Sequence, residues 1–303
     1  MEFFGKTNID FLKYRKGFLI FSIVLISVGI ILSAILGLDY GIDFEGGTEL
    51  AVSFEKPINT DRIRDAVEQL GITGSEIKSF GSDTQYMIRI KQSSKTPKEV
   101  GEAIDQAIPE IKMTVLQMNQ IGPKIGSELR GQAIIAMIIA LAALLIYIAF
   151  RFEFVYGCGA ILAIFHDIVV TFTVALIIHK LGIVNMEINL TFLAAMLTVI
   201  GYSINNTVVI FDRIRENREY HKDKSIVKLV NLSINETLSR TIITVLTTLL
   251  VLIMLIAFGG TVLKPFAVIM TLGTCFGVYS SIYISTSYVV WQLERRGENT
   301  AKK

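Results

Sequence analysis

The chain is 303 residues long, 52% hydrophobic and 18% charged, where soluble domains carry about 25% charged residues. This excludes an ordinary water-soluble domain, and so much apolar surface also excludes a disordered chain. A net charge of +2, from 29 Lys and Arg against 27 Asp and Glu, provides no basic field for a nucleic-acid partner.

Taken in chain order, residues 1–16 are a basic N-terminal segment and 17–37 the first apolar run. Lys13, Arg15 and Lys16 before that run suggest a secretory signal, but its apolar length exceeds the roughly 7 to 15 residues of a signal core. It is read as an uncleaved first span. Further apolar stretches run from Gln132 to Phe150, Val155 to Ile178, Ile188 to Phe211, Thr241 to Phe258 and Pro265 to Trp291. Each is about 18 residues or longer, enough to cross a hydrocarbon core of about 30 Å as a helix. The fold class is therefore a polytopic α-helical membrane protein with six transmembrane helices, in contact with membrane lipid.

Residues 38–131 form one domain outside the membrane. It reads as strand (Thr48 to Phe54), helix (Thr60 to Leu70), strand (Glu76 to Phe80), strand (Tyr86 to Ile90), helix (Pro97 to Ile108) and strand (Lys112 to Met118). Ile63, Ala66, Val67 and Leu70 recur at helical spacing, with Thr60 as the expected cap and Gly71 as the stop. This is a small α+β domain in βαββαβ order, the ferredoxin-like arrangement.

Residues 132–211 hold spans two to four, 212–240 a charged segment, 241–291 spans five and six, and 292–303 a tail. In the charged segment Ile226, Leu229, Val230 and Ile234 lie beside Lys222, Lys224 and Lys228, which predicts an amphipathic helix on the membrane surface. With the N-terminus cytoplasmic, Lys6, Lys13, Arg15, Lys16, Arg151, seven basic residues from Arg213 to Arg240 and four after Trp291 fall on the cytoplasmic side. The two short outer loops carry only Lys180 and Lys264. By the positive-inside rule both termini are cytoplasmic and 38–131 is extracytoplasmic.

Within the spans, polar groups are few. Asp167 lies mid-span, and an ionisable group at that depth is a functional candidate; it is either a proton-relay or gating carboxyl or a hydrogen-bonded structural one. Ala160, Ala163, Asp167 and Thr171 share a small or polar face expected to point inward. His166 is about 100° around the helix, so its side chain is not expected to face Asp167, and its structural reading is favoured.

On the fourth span Thr191, Thr198, Tyr202 and Asn205 form a polar stripe, joined by Asn206, that either glues helices or lines a wet path. Arg240 opens the fifth span and either snorkels to the interface or reaches inward to a carboxylate. Gly273, Gly277, Ser281 and Ser285 form a small-residue packing seam on the sixth.

Cys158 and Cys275 lie in apolar runs without a CxxC pair, and His166, His179 and His221 are scattered without HExxH spacing. No metal, cofactor or enzymatic chemistry is expected, and without a Walker loop neither is ATP hydrolysis.

GIDFEGGT at Gly41 to Thr48, IGPKIGSEL at Ile121 to Leu129, FHD at Phe165 to Asp167, GYSINNTVVIFDRIREN at Gly201 to Asn217 and TLSRT at Thr237 to Thr241 together resemble the SecF family of bacterial protein translocase subunits. The resemblance covers essentially the whole chain. It implies half of a resistance-nodulation-division type transporter in the bacterial cytoplasmic (inner) membrane. This half would pair with a SecD-like subunit at the Sec channel and use the proton or sodium gradient to complete export of unfolded preprotein.

The resemblance singles out Gly41, Asp43, Gly46, Gly47, His166 and Asp212 as motif residues; with the polar groups of the spans, the ion-coupling candidates are Asp167, Arg240, Asn205, Asn206 and Tyr202. The family's usual Asp after the first Asn of GYSIN is Asn206 here. The coupling carboxylate is then Asp167, or it resides on the partner, or a different ion is coupled. The expected mechanism is ion passage between two six-helix halves that rocks the outer domain as it grips or releases polypeptide. The alternative is half of a small-molecule or lipid exporter of the same superfamily.

Overall fold

A computed structural model describes residues 7–72, 75–80, 82–90 and 96–297. Lys6, Lys302 and Lys303, used in the charge count, lie outside the described residues. The chain divides into two compact units. One comprises residues up to Gly37, Ile138–Ala175 and Ala194 onward; the other comprises Leu38–Met137 and Leu176–Leu193.

The second unit contains a four-stranded sheet of β1 (Gly47–Phe54), β2 (Glu76–Phe80), β3 (Ser82–Ile90) and β4 (Met113–Ile121). The order is β2-β3-β1-β4 with every neighbouring pair antiparallel. Four helices precede or interleave with these strands, from α1 (Arg15–Leu36) through α2 (Ile42–Glu45) and α3 (Thr60–Glu68) to α4 (Pro97–Ala107). Period-two alternation places Leu50, Val52, Ile88 and Ile90 in a core shared with Ile63 and Val67 of α3 and Val100 and Ile104 of α4.

The cap of α3 is Asn59, whose side chain accepts from Asp61 N, and not Thr60, which is already helical. Helix α4 starts with a full capping box between Thr96 and Glu99 and has Pro97 in its first turn.

The GIDFEGGT segment is built around close backbone approach. Gly46 has φ +75°, and a Cβ there would lie 2.7 Å from Pro123 Cα; a Cβ on Gly126 would lie 2.9 Å from Gly46 N. The two glycine-bearing motifs therefore pack face to face, which only residues without side chains permit. The unit also takes in residues 176–193, beyond the expected 38–131 domain. Gly41 N donates to Ile188 O and Ile188 N to Asp39 O.

The first unit is helical, and among the described residues six helices are long and apolar enough to cross a membrane. These are α1 with the turn before it, α5 (Pro123–Arg151), α6 (Phe154–Lys180), α7 (Leu190–Tyr220), α8 (Ile226–Phe258) and a last span. The last is α9 (Gly260–Ser280), a π turn (Ser281–Ser285) and α10 (Thr286–Arg295) in succession. The apolar windows of α6, α7 and the last span are 50%, 50% and 56% buried, against 11%, 6% and 11% for α1, α5 and α8, so three helices form the inside.

The expected small-residue seam packs α9 on α7. A Cβ on Gly273 would run into Val199, and one on Gly277 would lie 3.2 Å from Ser203 Cβ. A Cβ on Gly159 of α6 would lie 3.1 Å from Ser285 O and 3.3 Å from Phe211.

The amphipathic helix expected within 212–240 is the first part of a longer helix and not a separate surface element. Helix α7 runs on to Tyr220, a short turn follows, and α8 begins at Ile226. The apolar face of Ile226, Leu229, Val230 and Ile234 is buried in the helical core with Ile210, Phe211 and Val289, so protein covers it instead of lipid. The N-terminal segment lies along the same stretch of α8. Asn231 Oδ1 accepts from Phe11 N at 3.0 Å and Asn235 Oδ1 from Ile9 N at 2.8 Å.

Candidate functional site

Asp167 is fully buried, as are Ala160, Ala163 and Thr171 on the same face of α6. Burying a carboxyl without partners costs several kcal/mol, and each of its oxygens has one. Ser203 of α7 and Ser280 of α9 both donate to Oδ2, the latter at 2.7 Å. Oδ1 is 3.0 Å from Nδ1 of His166. The site thus joins the three inner helices, and a π turn opens directly after Ser280, a local geometry common at functional sites.

The His166 contact corrects the expectation that the two side chains do not face one another. The angle of about 100° separates the Cβ directions, but both side chains are short and bend toward each other from consecutive residues. His166 is buried, and its ring stacks on Tyr279 with centroids 5.4 Å apart. Tyr279 Oη donates to Phe18 O and accepts from Ser22, each at 2.8 Å, fixing that ring against α1.

The fourth-span stripe divides. Thr198 and Asn205 are exposed, so this part of the stripe faces outward in this chain. Tyr202 Oη lies 3.1 Å from Thr248 Oγ1 and joins α7 to α8. Asn206 is 4% exposed, and its Nδ2 has no partner among the described residues. The next positions around the helix, Ser203, Asn206 and Thr207, are the ones that face the interior.

Arg240 is exposed on α8 and has no ion-pair partner among the described residues. Glu236, one turn before it, is instead held by Arg213 Nε and Asn217 Nδ2, each at 2.7 Å. Asp212 accepts from Arg151 on both carboxylate oxygens at 2.7 Å, clamping the end of α5 to α7.

The GIDFEGGT residues belong to the other unit and are structural there. Gly47 opens β1 opposite Ile121. Asp43 Oδ2 accepts from Leu190 N at 2.9 Å and so caps the start of α7. Around them is a charged cluster that sequence reasoning missed. Arg89 of β3 is buried and paired with Glu187 and with Glu49, the latter at 2.9 Å. Asp39 Oδ2 accepts from His179 Nε2 and Lys180 Nζ, each at 2.8 Å. Partial burial alone would raise the Asp39 carboxyl, but these two donors and the Lys78 charge outweigh it and hold it at about 2.

Ser203 and Ser280 were also missed as site residues. Their signal was present: Ser203 lies four residues before Thr207 in the GYSINNT run, and Ser280 lies next to the seam residue Ser281.

Comparison with known proteins gives a consistent set. Residues 100–295 match the family model described as protein export membrane protein SecD/SecF, C-terminal, and residues 31–58 match that of the SecD/SecF GG motif. The chain is 40% identical over 299 residues to protein translocase subunit SecF of Calditerrivibrio nitroreducens, covering 96% of each. It is 39% identical to the Rhodothermus marinus protein of the same name, covering 96% of this chain and 95% of that one. Among solved structures, SecDF of Thermus thermophilus, a translocon-associated membrane protein, superposes with a TM-score of 0.83 at 33% identity. That match covers 95% of this chain and 39% of the longer one.

Proposed function

Because this chain belongs to the SecD/SecF family of protein export membrane proteins, we propose that it serves the Sec machinery as a gradient-driven auxiliary subunit in late steps of preprotein translocation. It is a multi-pass membrane protein and a transport subunit, not an enzyme. Its partner is a SecD-like half with its own six spans, and together they act at the Sec channel on unfolded polypeptide. The membrane is the bacterial cytoplasmic one. The excess of Lys and Arg in the segments 1–16, 212–240 and 292–303 supports cytoplasmic termini.

The observation that carries this reading is Asp167, a fully buried carboxyl joined by hydrogen bonds to the other two inner helices. Such a group is costly at membrane depth and is the natural place for a proton or sodium ion to be taken up and released. A change in its charge alters the contacts to Ser203 and Ser280, and with them the packing of α6, α7 and α9. Arg240, exposed and unpaired within the described residues, is available to a carboxylate on the partner half. Helix movement is passed to the extracytoplasmic domain, which grips or releases the emerging chain.

The test is preprotein export in cells whose only copy carries Asp167→Asn or Arg240→Met. Accumulation of unprocessed preprotein is expected in both. Normal export in both removes these residues from the mechanism.

A further inference from the structure

We propose that His166 and Asp167 act as one proton-holding pair, with His166 Nε2 as the end at which protons enter and leave. The inference rests on the reading of Asp167 as the coupling carboxyl and adds a second titrating residue to it.

Three observations carry it. The first is the 3.0 Å contact between Nδ1 and Oδ1. Either Nδ1–H donates to an ionised carboxylate, or a protonated carboxyl donates to Nδ1, so one proton can sit on either atom. The second is that Oδ2 is already served by the hydroxyls of Ser203 and Ser280. With both carboxyl oxygens engaged, the remaining site for a proton on this pair is Nε2 of His166. The third is that Nε2 is itself buried and has no hydrogen-bond partner among the described residues. A buried ring nitrogen that no protein group serves among the described residues is left to water or to a proton.

Further buried polar groups lie on the same three helices. Thr171 Oγ1, Thr274 Oγ1, Asn206 Nδ2 and Thr207 Oγ1 are likewise buried without partners among the described residues. The contacts of Gly277 with Ser203, and of Gly159 with Phe211 and Ser285, fix the register of the three helices. In that register Thr171 and Thr274 lie to one side of Asp167 along the helix axes, and Asn206 and Thr207 to the other. Buried polar groups in this situation are normally served by water, so both sides of the pair have groups that can hold it.

Proton balance is simple. The empty pair is a neutral imidazole with Nδ1–H donating to the carboxylate, net charge −1. Loading forms one N–H bond at Nε2 as an O–H bond of a hydronium ion breaks and leaves water. The Nδ1–H bond can then break as an O–H bond forms at Oδ1, and the loaded pair is neutral. The titratable group packed against the His166 ring from another helix is Tyr279, whose hydroxyl is turned to Phe18 and Ser22 of α1. Among the described residues no charged group other than Asp167 is bonded to either partner.

The test uses the complete complex in inverted vesicles, with export driven by an imposed proton gradient over a range of about pH 6 to 8. His166→Asn keeps a donor near Oδ1 but has no second nitrogen and does not titrate; His166→Gln is a second variant of different reach. The expected result is a loss of gradient-driven export of roughly tenfold or more, or a shift of the pH midpoint by about one unit or more, with complex abundance unchanged. Wild-type rate and pH profile in either variant, while Asp167→Asn is inactive, overturn the inference and leave the Asp167 reading standing. Normal export in Asp167→Asn overturns both. In the unsubstituted complex, export driven equally well by a sodium gradient at constant pH also overturns the proton-holding pair.

Discussion

Arg89 on β3 and Glu187 in the segment before α7 form a buried ion pair, and both are only 5% exposed in their side chains. Glu49 on β1 shares the same guanidinium at 2.9 Å. Arg89→Met leaves these carboxylates without their cation and is expected to cost about 3–5 kcal/mol. Thermal unfolding of the purified full chain measures it. The double variant with Glu187→Gln should recover part of the loss, because one of the unpaired charges is then gone.

Acid stability follows from Asp39. Its carboxyl is held at about 2, below the ordinary 3.8. A depressed carboxyl contributes stability that is fully present above its unfolded value and lost as pH falls through the folded one. The melting midpoint should therefore fall between about pH 4 and pH 2. Asp39→Asn is expected to lower the midpoint at neutral pH and to flatten this acid limb.

Gly46→Ala meets two obstacles, a φ of +75° and a Cβ 2.7 Å from the Pro123 backbone. The backbone conformation alone costs about 1–3 kcal/mol, and the approach to Pro123 adds to it. Gly131→Ala, with open space around its Cβ, should instead be neutral. Limited proteolysis of the two variants within residues 38–137 separates the cases.

Arg240→Met should behave differently from both. The side chain is exposed and without an ion-pair partner among the described residues, so the melting midpoint should move by no more than about 0.5 kcal/mol equivalent. Gradient-driven export by the assembled complex should nonetheless fall. Unchanged export would assign Arg240 to the membrane interface alone.

Much of this was legible in the chain because the signals are local. Six apolar runs of helical length, the alternation in Leu50, Val52 and Ile88, and a lone mid-span Asp167 each follow from spacing. What escaped depends on contacts distant in sequence. Ile226, Leu229, Val230 and Ile234 have the pattern of a surface helix, and only the packing partners Phe211 and Val289 distinguish a protein-covered face from a lipid-covered one.

Tyr202 and Ser203 are adjacent in sequence. The stripe drawn through Tyr202 and Asn205 therefore missed the neighbouring face, where Ser203 reaches Asp167. His166 escaped because Cβ geometry does not account for side-chain torsions. The glycines of GIDFEGGT were visible as a motif, but their reason, the backbone of Pro123 and Gly126, lies far along the chain.

The central claim is that Asp167 couples an ion gradient to export. Its most direct test is the rate of preprotein translocation by the complex in vesicles, with and without an imposed gradient, for the wild-type chain and Asp167→Asn. The account predicts that the gradient accelerates the wild type and leaves the variant at its ungraded rate, with equal amounts of assembled complex. Equal acceleration of both would contradict it.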